Sequence, residues 1–242
     1  MSEKNANYGF DAPFIMVGLL VASAICAATA IFLPDEIVGL PLTIVRYLIT
    51  IVSIPLLVLG SMMLIYGLFT KQRIRDFILN QINWRGDETV LDIGTGRGLL
   101  MIGAAKRLTT GKAIGIDIWS AKDLSGNTQQ NTLANMAIEG VQDRTELRNM
   151  DARTLEFPDQ SIDVILSLFC IHNIEDKSDQ AMALKEIVRV VKPGGKVIIG
   201  EWMPTHAYAK FLANEGLVVE SSRNYIAKAC SLTWILMAHK SL

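Results

Sequence analysis

Cysteine and histidine are scarce in this sequence, with three of each in 242 residues. Cys26, Cys170 and Cys230 share no C-x-x-C spacing, so neither a disulfide framework nor a zinc site is implied, and no metal is expected. That pattern fits a reducing, cytoplasmic setting. Net charge is nearly absent as well, since 23 basic residues against 24 acidic ones leave −1. Without a basic stripe the electrostatic footprint of a nucleic-acid binder is missing. The chain also lacks repeats, low-complexity tracts and long linkers.

Apolar residues are what the sequence has in excess. Half the chain is hydrophobic and the mean hydropathy is +0.32, too high for an ordinary soluble domain of this length. The excess sits at the front. Phe14 to Leu33 is twenty residues without a charge, and Leu42 to Phe69 is longer, interrupted only by Arg46. Each can cross a hydrocarbon core of roughly 30 Å at about 1.5 Å per residue. Globular helices rarely stay apolar all round for so long, so residues 1–70 are read as a membrane anchor with helices at about 14–33 and 44–69. Pro55 could kink the second helix, and Arg46, near its outer end, could snorkel or hold an acidic head group.

The flanks set the orientation. Asp35 and Glu36 lie in the connection between the two stretches, whereas Lys71, Arg73 and Arg75 follow the second. The positive-inside rule then places both termini and everything after Thr70 on the cytoplasmic side of an integral membrane protein. A rival reading takes the first stretch as a signal peptide cut near Ala28-Thr29-Ala30. The start is barely basic and the apolar stretch too long for that role.

Residues 71–83 (KQRIRDFILNQIN) predict an amphipathic juxtamembrane helix with Ile74, Phe77, Ile78 and Ile82 on one stripe. From 84 to 242, strand and helix patterns alternate. The strands are TVLDIG, KAIGIDI, TELRNMD, IDVILSLF, GGKVIIGEW, LVVESSR and LTWILMAH, with helical patterns at Asn127 to Glu139, Gln180 to Val190 and Thr205 to Asn214. Only SSRNYIAKACS joins the last two strands, too short for a crossover helix, so they should be antiparallel neighbours. The predicted class is α/β, a doubly wound seven-stranded sheet with a C-terminal antiparallel hairpin, preceded by two transmembrane helices.

Chemistry concentrates in VLDIGTGRGLL, residues 90–100. A buried strand, a glycine turn and a helix start make a nucleotide-binding unit. Dinucleotide sites prefer G-x-G-x-x-G, but here Gly94, Gly96 and Gly98 give G-x-G-x-G, with Leu99 at the third-glycine place.

Four pieces in order resemble the class I S-adenosylmethionine-dependent methyltransferases. VLDIGTGRG is similar to their first motif, GIDI to the second strand with its terminal acid, NMDARTLEFPDQSIDVILS to the stretch around the fourth strand, and VVKPGGKVII to the turn before the fifth. The resemblance covers about two-thirds of the chain. It implies a Rossmann-like methyltransferase fold, S-adenosylmethionine as cofactor, and a cofactor site made by Asp92, Gly94, Thr95, Gly96, Gly98, Asp117, Ile118, Asp151, Ala152 and Ser167. Glycines would let the loop run close to the ligand. Asp92 would orient the loop or bind the ligand's amino group, Asp117 would accept from both ribose hydroxyls, Ile118 would pack on the adenine, and Asp151 with Ala152 would read its edge. Trp119 and Asn127 should sit nearby.

Because the sulfonium already activates the methyl group, alignment alone suffices unless the acceptor carries a proton. His172, in SLFCIHNIED just after the fourth strand, is the candidate base or a hydrogen-bonding support for the site. Cys170 reads as packing, and His206 and His239 as peripheral. SLFC at 167–170 has neither the Asn-Pro-Pro-Tyr-like nor the Pro-Cys turn that the resemblance would require of base methylation in nucleic acid. The implied enzyme methylates a small or lipid-like acceptor such as a lipid, quinone or lipophilic thiol. The alternative is a membrane-anchored nucleotide-binding module, or a catalytically lapsed methyltransferase fold that works through partners.

Overall fold

The computed structural model describes residues 5–32, 40–120, 122–229 and 231–242. The apolar front forms α1 (Pro13–Phe32) and α2 (Leu40–Ile65). Pro13 opens α1, where a missing N–H costs nothing. The two helices pack as a hairpin. Ser23 Oγ donates to the Ser53 carbonyl at 2.9 Å, and a Cβ on Gly60 would lie 2.8 Å from Leu20, so small residues bring the backbones together. Away from that seam the side chains are uncovered, with Phe14 and Phe32 each 80% exposed. Core helices of a soluble protein would bury such faces. Leu33, Asp35 and Glu36 lie outside the described residues.

The second apolar helix does not stop at Phe69. A π-helical turn, Tyr66–Thr70, carries it without a break into α3 (Lys71–Leu79). Nor does the amphipathic helix reach residue 83, because the chain leaves the helix at Asn80 and Trp84 Nε1 donates to the freed Leu79 carbonyl at 2.8 Å. The predicted stripe is buried against the domain: Ile74, Ile78 and Ile82 join one core cluster with Met101 and Ile102 of the glycine-loop helix, and Phe77 packs on it. Thus α3 is a wall of the domain.

Seven strands follow: β1 (Thr89–Ile93), β2 (Lys112–Asp117), β3 (Thr145–Asn149), β4 (Ile162–Leu168), β5 (Val191–Glu201), β6 (Leu217–Asn224) and β7 (Trp234–Lys240). Five helices accompany them: α4 (Leu99–Ala105), α5 (Gln129–Ile138), α6 (Lys177–Val190), α7 (His206–Asn214) and the short α8 (Ile226–Ala229). The spatial order is β3-β2-β1-β4-β5-β7-β6, parallel except for β7, which runs antiparallel to both neighbours. The predicted hairpin is therefore present. One boundary differs from expectation. Pro193-Gly194-Gly195 lies inside β5 as a bulge against β4, where the register shifts between Ile162 and Val164, so the turn belongs to the strand.

Two apolar clusters hold the layers, one under α3 and α4, the other under α6 and α7. Strand order reverses between β1 and β4, and Ile93 pairs with both Ile116 and Ser167. Ligands of open α/β sheets bind at such a switch point, beyond the strand carboxyl ends.

Candidate active site

A cavity of about 490 Å³ opens there, a normal size for a small-molecule site. Its walls come from the ends of β1, β2 and β4, from residues 150–153 after β3, from residues 122–127, from the turn after β4, and from Asp11 ahead of α1. Among the described residues, seven lining carboxylates (Asp11, Asp117, Asp123, Asp151, Glu175, Asp176, Asp179) face two basic groups, Lys122 and Arg153. Such a field attracts a cation and repels a pyrophosphate.

The glycine loop is shaped by two positions. Gly94 has φ +69° and Gly96 φ +52°, in the left-handed region. A Cβ on Gly94 would lie 2.3 Å from Cys170 Sγ, and one on Gly96 2.7 Å from Leu124. The glycines therefore clear room for other walls of the cavity as well as for a ligand. Gly98 stands apart from the cavity, as the left-handed N-cap residue of α4.

Asp92 is 2% exposed, and its Oδ2 accepts from Thr95 Oγ1 at 2.8 Å and from the Met101 N–H at 2.9 Å. It thus clamps the loop to α4, one of the two roles expected of it. Both Asp92 and Thr95 reach only a small annex behind the loop, shared with Tyr8, Asp11 and Lys71. Burial pushes the Asp92 carboxyl up to about 7; the Thr95 and Met101 hydrogen bonds oppose this and the nearby Asp117 adds to it.

Asp117 ends β2 on the cavity wall. Its Oδ2 accepts from the Gly96 N–H at 2.8 Å, and its Oδ1 from the Trp119 N–H at 2.6 Å and Asn127 Nδ2 at 3.3 Å. The carboxylate fixes the loop and the opposite wall together. Trp119 meets it through a left-handed backbone, φ +61°. Ile118 is 66% exposed beside the cavity and offers an apolar face suited to an aromatic base. Asp151 and Ala152 line the rim, but the Asp151 carboxylate is engaged by Arg153, whose Nη2 stands 2.7 Å away and which also pairs with Asp179. This pairing holds Asp151 below the usual carboxylate range.

Ser167 is not brought into the cavity. Its Oγ is fully buried inside the sheet without a partner among the described residues, and Leu168, one step along the pleat, takes the lining position. His172 is not itself among the lining residues, although Cys170 and Asn173 on either side of it are; it turns to Glu201 at the end of β5, its Nδ1 2.5 Å from Glu201 Oε2 and its backbone N–H donating to Oε1 at 3.2 Å. Trp202 abuts the imidazole edge-on at 5.9 Å. Burial pushes the Cys170 thiol well up, reinforced by Asp117, Glu201 and Asp92, so it packs as a neutral group. The sequence reading missed Asp11, Phe169 and Glu201. Of these, Glu201 had a signal, an acid closing an apolar strand as Asp92 and Asp117 do.

A family model described as a methyltransferase domain matches residues 91–199. Over these residues the sheet domain resembles class I methyltransferase domains. Demethylmenaquinone methyltransferase of Lactobacillus johnsonii is 33% identical over 148 residues, 60% of this chain and 56% of that one. A 2-methyl-6-phytyl-1,4-hydroquinone methyltransferase from Synechocystis is 30% identical over 146 residues, covering 55% and 40%. This chain spans about half the length of the curated relatives it matches first. Among solved structures, a SAM-dependent methyltransferase from Aquifex aeolicus superposes with a TM-score of 0.54 at 19% identity, over 68% of this chain and 88% of that one, a likeness of fold. S-adenosylmethionine is the cofactor of such domains, and this cavity fits it: an acidic field for the sulfonium, a glycine cradle and an apolar ledge at Ile118.

Proposed function

We propose that this protein is a membrane-anchored methyltransferase that uses S-adenosylmethionine to methylate a small lipophilic acceptor of the quinol type. The observation that carries the reading is a contact. The ring of Tyr66, the first residue of the π-helical turn that continues α2, lies 5.6 Å from that of Phe169, which lines the cavity. The end of an apolar helix with uncovered faces thus adjoins one wall of the cavity. A bilayer-dissolved acceptor would need no passage through water. The named acceptors of the Lactobacillus and Synechocystis relatives are prenylated or phytylated aromatic rings of this kind. The basic exit at Lys71, Arg73 and Arg75 favours a cytoplasmic domain and two spans.

When bound, the cofactor supplies a methyl group made electrophilic by its sulfonium. Asp117 and Ile118 would hold the adenosine portion, while Gly94 and Gly96 admit it to the sheet edge. Phe169, with φ +55°, and Leu168 give an apolar wall on which an acceptor ring can lie. His172 would remove the acceptor's proton through Nε2, since Nδ1 is committed to Glu201, and Glu201 would stabilise the resulting imidazolium. His172 would keep that proton while the acceptor's nucleophilic atom faces the methyl group along the Leu168–Phe169 wall.

The test uses the full chain in lipid nanodiscs, titrated calorimetrically with S-adenosylmethionine, S-adenosylhomocysteine and NAD, then incubated with tritiated S-adenosylmethionine and demethylmenaquinol. Binding of the first two ligands and tritium in the quinol are expected. NAD binding alone, or cofactor binding without transfer to quinols or to a membrane lipid extract, would overturn the reading.

A further inference from the structure

Lys71 is the first residue after the π-helical turn and is 6% exposed. A buried ammonium persists only when its donors are answered. All the answers come from the opposite end of the anchor: Nζ donates to the carbonyls of Tyr8 and Gly9 at 3.1 Å each and lies 2.8 Å from the Asp11 carboxylate. Those residues belong to a strap, residues 5–12, laid over the cofactor domain. Phe10 exchanges bonds with Ser125, its N–H reaching Oγ at 2.7 Å and its carbonyl accepting from the Ser125 N–H at 2.9 Å. The Ala12 N–H donates to Asp123 O at 2.8 Å, and Asp11 bridges Leu124. Asn135 ties the strap to the glycine loop, because its Nδ2 donates to both Asn7 O and Arg97 O at 2.9 Å.

Asp11, Asp123 and Leu124 all line the cavity, so the strap and the wall it grips form part of the boundary of the cofactor site. Strap and α1 are contiguous, and Phe10 presses on Gly67 of the π-helical turn, where a Cβ would lie 2.4 Å from its ring. We propose that Lys71 is a positioning residue that latches this strap over the cofactor, so that cofactor exchange depends on how the inner ends of α1 and α2 are held together. The membrane side of this inference rests on the anchored-methyltransferase reading above. Cofactor release would require the strap and residues 122–127 to part from the glycine loop, and the Lys71–Asp11 pair is the charged contact among those that resist it.

The experiment uses the full chain in phosphatidylcholine–phosphatidylglycerol nanodiscs, with S-adenosylhomocysteine as the probe. Three readouts are taken: its dissociation rate, the melting temperature without ligand, and protease cutting within residues 5–12. Lys71→Met should speed dissociation about ten-fold or more by removing a charged donor from three acceptors, and should expose the strap to protease. Lys71→Arg, able to serve the same oxygens, should restore slow release. In the wild type, bound S-adenosylhomocysteine should protect the strap. Asp11→Asn, which keeps the side-chain volume and removes the ion pair, supplies the same test should Lys71→Met fail to fold. A lowered melting temperature with an unchanged dissociation rate would reduce Lys71 to a purely structural contact and overturn the proposal. Strap cutting that ignores the ligand would do the same. Failure of the wild type to bind the probe would instead overturn the cofactor reading, and the latch with it.

Discussion

Asp92→Asn makes a pH-dependent stability difference measurable. Burial lifts the Asp92 carboxyl from 3.8 to about 7 in the folded chain. Between those values the folded state keeps a proton that the unfolded chain has lost, so stability falls as pH rises through the window and levels off above it. From about pH 5.5 to about pH 8 the single group removes about 2 kcal/mol, at 1.36 kcal/mol per pH unit of differential protonation. For a chain of this size that corresponds to a drop of roughly 4–8 °C in melting temperature. The amide that replaces the carboxyl in this variant cannot ionise, yet its carbonyl oxygen can still accept from Thr95 Oγ1 and the Met101 N–H, the bonds that Asp92 Oδ2 now holds. The melting temperature of the variant minus that of the wild type should therefore increase by several degrees over this range. Tryptophan fluorescence of ligand-free protein in nanodiscs, followed on heating at both pH values, gives the difference directly. A difference that stays constant, or that shrinks with rising pH, would refute the raised carboxyl and with it the placement of a protonated acid under the glycine loop.

The same acid predicts that S-adenosylmethionine binding tightens from about pH 6 to about pH 8, as the cation favours ionised Asp92; calorimetry in buffers of different ionisation enthalpy should register proton release, absent in Asp92→Asn. Gly94→Ala combines a left-handed φ, about 1–2 kcal/mol, with the overlap on Cys170, about 1–3 kcal/mol; adding Cys170→Gly should recover only the second part in a thermal melt. Asp117→Asn leaves one acceptor oxygen where the Gly96 and Trp119 N–H groups now find two, so S-adenosylhomocysteine affinity should fall roughly 10–100-fold with a lower melting temperature. His172→Gln and Glu201→Gln should each cut kcat about 10²–10⁴-fold at unchanged cofactor affinity, and equal activity at saturating acceptor would remove His172 as the base.

What could be read from the residues divides by the kind of contact involved. Strands such as TVLDI and KAIGID are legible because both faces are buried and their apolar runs are bounded by turn residues. The antiparallel ending follows from a connection too short for a crossover. The resemblance puts Ser167 in the cofactor site, whereas in β4 it is Leu168 that lines the cavity, because matching a motif does not settle which way a strand residue faces. The merging of α2 into α3 left a trace, since between Tyr66 and Leu79 there is no proline and only Gly67 has the low helix propensity of a helix breaker. Composition alone nevertheless divides an apolar stretch from an amphipathic one.

The strap could not be read at all, and the reason is physical. Its bonds at Phe10, Ala12, Tyr8 and Gly9 use backbone groups, which every residue carries, so no side-chain pattern marks it. Its cationic partner, Lys71, looks in the sequence like an ordinary positive-inside residue, one of three basic groups at the exit of an apolar helix. Arg73, also from that cluster, is exposed, whereas Lys71 is buried under the strap. The two proposed roles of Lys71, in orienting the anchor and in latching the strap, therefore separate by substitution. Orientation depends on the summed charge of the exit and should survive loss of Lys71 alone, since Arg73 and Arg75 remain. Cofactor retention should depend on Lys71 and be indifferent to Arg73→Ala. If both variants released S-adenosylhomocysteine at the same rate, burial of this lysine would have no bearing on the cofactor site.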